Sequence, residues 1–127
     1  MKVYCTVCSR RKLEVDYPVE AINLYLSKNI SDVYEKSKGE GIEFRILSGK
    51  FGLLKLNEKV RWYDYLLKED GVNELKEKIK HQIRSQGIDD ITFFAENREE
   101  HPNWIPYYNS IIRACGELEI KLKLIEI

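Results

Sequence analysis

The chain is poor in several features whose absence narrows what it can be. It holds only three cysteines in 127 residues, an odd number that cannot complete a disulfide framework and fits a reducing compartment. No apolar run approaches the roughly 18 residues needed to span a bilayer, so no membrane helix is expected. Met1-Lys2-Val3-Tyr4 leads straight into a strand pattern without the apolar core or small-residue cleavage site of a secretory leader, which places the protein in the cytoplasm. Also missing are a Walker lysine loop, a dinucleotide-binding glycine fingerprint, a G-x-S-x-G nucleophile elbow and an H-E-x-x-H pair. Cys5 and Cys8 form a lone C-x-x-C with no second cysteine pair to complete a zinc site, and neither metal nor cofactor is predicted. With no repeat, linker or low-complexity segment, residues 1–127 read as a single domain large enough to bury an ordinary core.

Net charge is zero, but the signs are unevenly spread. Met1 to Arg61 carries 12 Lys/Arg against 8 Asp/Glu, and Trp62 to Ile127 carries 9 against 13. A basic half without a high overall pI fits a small anionic ligand better than a duplex, which usually meets a broad basic face. A surface simply solvated by lysine and glutamate would look the same.

What is present alternates between strand and helix periods. Val3 to Val7 reads as a strand; Pro18 suits a helix's first turn, with Ala21, Ile22, Leu24, Tyr25 and Leu26 following at helical spacing. Ser31 can cap a second short helix through Lys38, ended by Gly39 and Gly41, before a buried strand over Ile42 to Leu47. Val60 to Lys68 reads as a short helix. Val72, Leu75, Ile79 and Ile83 mark an amphipathic helix ending at Gly87. A strand over Ile91 to Ala95, a helix over Pro102 to Cys115 stopped by Gly116, and a strand over Ile120 to Leu124 complete a βαβαβαβ order. This order predicts an α/β fold, a three-layer α/β/α sandwich around a mainly parallel four-stranded sheet with right-handed crossovers.

In such a sheet, ligands sit at the carboxyl ends of the strands near the switch in strand order. Three connections compete for that edge: Cys8 to Lys12, Ser48 to Leu54 and Glu96 to Pro102, and the first two should meet. The richest stretch is Ile46-Leu47-Ser48-Gly49-Lys50-Phe51-Gly52-Leu53-Leu54, followed by Tyr63-Asp64. Ser48 supplies a hydroxyl, Gly49 and Gly52 let backbone amides approach a ligand, and Lys12 and Lys50 are point charges for a phosphate or carboxylate. Tyr63 could stack on a nucleobase and Asp64 accept from its edge, or the aromatics could be core cover. Cys8 is a candidate nucleophile, since Arg10, Arg11 and Lys12 would lower its pKa, against a buried structural thiol. Glu96 and His101 could move protons in the third loop, or serve helix capping and solvation.

The segment Cys8-Ser9-Arg10-Arg11-Lys12, then Ala21 and Tyr25, then the Leu47-Ser48-x-Lys50-x-Gly52-Leu53 turn with Tyr63-Asp64, resembles a family of small, largely uncharacterised prokaryotic and phage proteins across the first half of the chain. More distantly, Leu47 to Leu54 is similar to a stretch of the peroxide-stress protein YaaA family. The opening and the turn are also similar to segments of archaeosine synthases, whose domain resembles the uracil-DNA glycosylase-like fold. The resemblance implies that fold here, and a shared site of Cys8, Lys12, Ser48, Lys50, Gly52, Tyr63 and Asp64, with Ser9 and Gly49 beside them. It names no reaction.

Two readings follow. One is an enzyme on a nucleobase, nucleoside or nucleotide, with Asp64, Cys8 and Lys50 in the chemistry and Ser9, Lys12, Ser48, Gly49, Gly52 and Tyr63 binding substrate. The other is a non-catalytic module for a nucleotide or nucleic acid using the same residues. A docking role would instead use the exposed strand near the C-terminus, which could pair between two copies as a homodimer.

Overall fold

The computed structural model describes all 127 residues. In chain order the elements are β1 (Lys2–Val7), β2 (Val19–Glu20), α1 (Ala21–Leu24), α2 (Lys28–Glu40), β3 (Glu43–Ser48), β4 (Gly52–Leu54), β5 (Lys59–Val60), α3 (Val72–Gln86), β6 (Asp90–Ala95), α4 (Ile105–Leu118) and β7 (Lys121–Glu126). Single 3-10 turns at Glu69–Gly71 and Pro102–Trp104 lead into α3 and α4.

Period-two patterning divides each central strand between two cores. Val3, Cys5 and Val7 of β1, Leu47 of β3, and Ile91, Phe93 and Ala95 of β6 face Leu75, Ile79 and Ile83 of α3 and Ile111 and Ala114 of α4. Tyr4, Phe44, Ile46 and Phe94 face the other way, against Leu24, Ile30 and Val33 of α1 and α2. Helices thus cover both faces. Burial of each such aliphatic side chain contributes about 1.5–3 kcal/mol. The ion pairs of Lys76 and Lys80 with Glu117 lie at the helix surface, where water screens them, so apolar contact holds α3 and α4 in place.

The sheet has five strands in the order β4-β3-β1-β6-β7. Strands β3, β1, β6 and β7 are parallel, whereas β4 runs antiparallel to β3 with Ser48 opposite Gly52. This corrects the expected four-stranded sheet: the glycine-bracketed turn is a tight hairpin whose return arm adds an edge strand. After β3 the chain crosses by α3 to the far side of β1, so strand order reverses at β1.

Other departures have local causes. Lys59–Val60 pairs with Val19–Glu20 in a small second sheet, so residues 61–68 run without helix and the helix expected over Val60 to Lys68 is absent. The same pairing confines α1 to one turn. Helix α2 starts earlier than expected because Ser27, not Ser31, accepts the capping bond from Ile30 N–H at 3.4 Å. Helix α4 passes through Gly116 to Leu118, since its carbonyls are closed one turn later by Ile120 N–H on Cys115 O at 3.1 Å.

The hairpin is pinned from α3. Gln82 Oε1 accepts from Leu53 N–H at 2.7 Å, and its Nε2 donates to Phe51 O at 3.0 Å. Gly52 adopts φ +73°, and a Cβ there would meet Gln82 Oε1 at 2.3 Å. Gly52→Ala should therefore lower stability by about 1–3 kcal/mol through left-handed strain and loss of the Gln82 clasp. A fall in the urea unfolding midpoint at unchanged m-value is the expected result.

Candidate functional site

Parallel pairing of β1 with β3 places Cys8 to Lys12 beside Ser48 to Lys50 at the sheet's carboxyl edge, and Cys8 N–H bonds Leu47 O at 2.9 Å. The third expected loop lies apart. Glu96 pairs with His101 at 2.9 Å and accepts from Asn29 Nδ2 at 3.1 Å, while its carbonyl accepts from Tyr108 OH. Only Asn103 and Trp104, just past that loop, reach the first two.

Beneath the edge lies a buried polar network. Ser48 Oγ accepts the N–H groups of Lys50 at 3.2 Å and Phe51 at 3.1 Å. Its remaining hydrogen is shared with Tyr63 OH at 2.8 Å, and Tyr63 OH in turn bonds Tyr25 OH. Lys12 and Lys50, 38 positions apart in the chain, both direct their ammonium groups at the Tyr63 ring, 4.6 and 5.5 Å from its centroid. Lys12 Nζ also lies 6.0 Å from the Tyr25 ring and donates to Arg10 O at 3.3 Å. The two lysine-bearing turns are neighbours on one rim.

Two clefts open on that rim. The smaller, about 160 Å³, lies between the end of β1 and the start of α4, and its walls include Cys8, Ser9, Arg10, Lys12, Trp104 and Tyr107. The larger, about 270 Å³, is bounded by Gly49, Lys50, Gly71, Glu74, Leu75 and Lys78. Asp64 and Tyr65 belong to both, forming a rib between them.

The nine candidate residues therefore sort by depth. Ser9, Lys12 and Cys8 border the smaller cleft, Gly49 and Lys50 the larger, and Asp64 both. Ser48, Tyr63 and Gly52 line neither cleft. Tyr63 is buried, edge-on to Tyr25 and Phe51, so the exposed aromatic at the rib is Tyr65. Gly49 serves packing as well as access, since a Cβ there would meet Leu67 Cβ at 3.0 Å and Tyr107 OH at 3.1 Å. Tyr65, which its sequence context equally suits to core cover, is exposed and joins Trp104 and Lys78 on the cleft walls, with Lys78 Nζ donating to Lys50 O at 2.9 Å. Tyr107 accepts from Leu67 N–H and sits beside Cys8. Their signal was weak: each belongs to an element whose placement depends on distant pairing.

Burial dominates the protonation of the buried groups. It pushes the Cys8 thiol up despite the Gly49 N–H, the Lys12 charge and the Tyr107 and Tyr63 hydroxyls, which draw it down. The expected lowering by neighbouring cations is thus outweighed. Burial likewise raises Tyr25, Tyr63 and Tyr107, each with the nearby Cys8 as the next cause, and pushes Cys115 up to about 12. At neutral pH these groups are hydrogen-bond donors, not bases. No protein-family model, curated protein or solved structure matches the chain.

A pH dependence follows from those shifts. A group whose pKa is higher folded than unfolded favours the native state fully below its unfolded value and loses that contribution above it. With ordinary values of 9.0 for Cys8 and 10.0 for the phenols, stability should fall as pH rises through 9–10. Each group contributes up to about 1.4 kcal/mol per pH unit. A Tyr63→Phe, Tyr107→Phe double variant should show a shallower decline in Tm between pH 8 and 11.

Proposed function

We propose that the protein is an enzyme acting on a nucleobase, nucleoside or nucleotide, bound across the two clefts with its anionic part toward Lys12 and Lys50. The observation carrying this reading is the convergence of those two lysines on the Tyr63 ring at the carboxyl edge of β1 and β3. The larger cleft offers Tyr65 and Leu75 to an apolar or aromatic group, with Lys50 and Lys78 at its rim. Asp64, on the rib, is the proton acceptor within reach of a ligand in either cleft, because Cys8 and the three phenols are held protonated. Lys50 holds the ligand from the larger cleft, Ser9 adds a hydroxyl, and Ser48, Gly52 and Tyr63 position these groups from below. The resemblance of the Cys8–Lys12 opening and the Leu47–Leu54 turn to archaeosine synthases points the same way, toward a uracil-DNA glycosylase-like fold and chemistry on nucleic-acid bases.

A second reading is a non-catalytic nucleotide or nucleic-acid module. It is favoured by the same protonation pattern, which leaves a single carboxylate as the only base at the rib. Thermal-shift screening of nucleobases, nucleotides and short oligonucleotides tests both. A saturable rise in Tm with at least one mononucleotide is expected, lost in Lys50→Ala without a fall in the ligand-free Tm. Asp64→Asn should keep that rise and lose turnover, scored by chromatography of the stabilising ligand. Turnover in neither protein, with binding intact, selects the second reading; no response from any compound defeats both.

A further inference from the structure

Lys12 is 8% exposed, yet no carboxylate lies within 4 Å of its ammonium. One of its three N–H bonds meets Arg10 O at 3.3 Å, and the other two have no acceptor in the protein. Arg10 O and the Tyr63 ring compensate the charge of this largely buried side chain only in part. Lys12 lines the smaller cleft. The opposite wall of that cleft is formed by Asn103 and Trp104 of the 3-10 turn and Tyr107 of α4.

We propose that the cleft between β1 and α4 is an anion subsite built around Lys12, taking a single phosphate or carboxylate group. Arg10 and Lys12 against Asp64 leave one positive charge in excess among the groups on its walls, which one monoanionic group neutralises. At about 160 Å³ the space equals roughly five waters, enough for a charged head and not for a whole nucleotide. The remainder of the ligand then crosses the Asp64–Tyr65 rib into the larger cleft. This deepens the reading of the rim as a ligand site and assigns the charged end of the substrate to Lys12, with Lys50 contacting the part beyond the rib.

The test uses inorganic phosphate alone, titrated against wild type, Lys12→Met and Lys50→Met at constant ionic strength. Methionine keeps the apolar stem of Lys12 and removes only the charge. Phosphate should stabilise wild type saturably, Lys12→Met should bind it about 10- to 100-fold more weakly, and Lys50→Met should stay within threefold of wild type. Ligand-free Lys12→Met should melt close to wild type, because the change strands no carboxylate and loses only the bond to Arg10 O and the ring contacts. Amide resonances of Ser9 to Lys12 and of Asn103, Trp104 and Tyr107 in wild type should shift on phosphate addition, a measurement that stands if the variant does not fold. Absence of a saturable phosphate response, or an equal response in Lys12→Met, overturns the subsite. A nucleotide response without a phosphate response defeats the subsite and leaves the nucleotide reading standing, whereas phosphate binding without any nucleotide response does the reverse.

Discussion

The hydroxyl of Ser48 closes the β3–β4 hairpin from within and joins that hairpin to the rest of the rim. It accepts two backbone N–H groups of the turn, which leaves its single hydrogen for Tyr63 and so fixes where the Tyr63 ring lies. That ring is the floor over which Lys12 and Lys50 meet, and its hydroxyl reaches Tyr25 at the end of α1. An apolar residue at position 48 would leave two turn amides without partners and strip Tyr63 of one of its two hydroxyl contacts. Such a network is strong because it is dry and complete, and every member depends on the others.

The same dryness decides the chemistry. A thiol and three phenols crowd together under the lysines, and burial keeps all four protonated, outweighing the Lys12 charge that draws Cys8 down. The rim therefore presents N–H and O–H donors and ammonium groups to whatever enters the clefts, with the carboxylate of Asp64 set between them and that of Glu74 on the larger. A donor-rich surface of that kind suits an acceptor-rich ligand. It also explains why Cys8 can sit beside Lys12 without becoming a thiolate, since removing water costs the sulfur more than one nearby charge returns.

Much of the fold was legible wherever burial imposes a period. Val3 to Val7, Glu43 to Ser48 and Asp90 to Ala95 alternate between two cores, and Val72 to Gln86 carries a single apolar stripe. The misread segments are those held by partners far away in the chain. Trp62, Tyr63, Tyr65, Leu66 and Leu67 resemble an amphipathic helix locally, but the Lys59–Val60 pairing with Val19–Glu20 and the Ser48–Tyr63 bond hold them in an irregular path. Gly52 suggests an opening for a ligand by its residue type, but its freedom is spent on the turn and on the seat of Gln82.

The site was legible in part for a related reason. Topology alone brings the end of β1 next to the end of β3, so Cys8, Ser9, Lys12, Gly49 and Lys50 could be grouped without coordinates. Depth could not be read that way. Whether Tyr63 or Tyr65 faces solvent depends on which of two nearby rings finds a buried hydroxyl partner, and Ser48 supplies one only to Tyr63. Once Tyr63 is committed to the interior, the next exposed ring on that stretch becomes the rib, and the rim divides into two spaces instead of one.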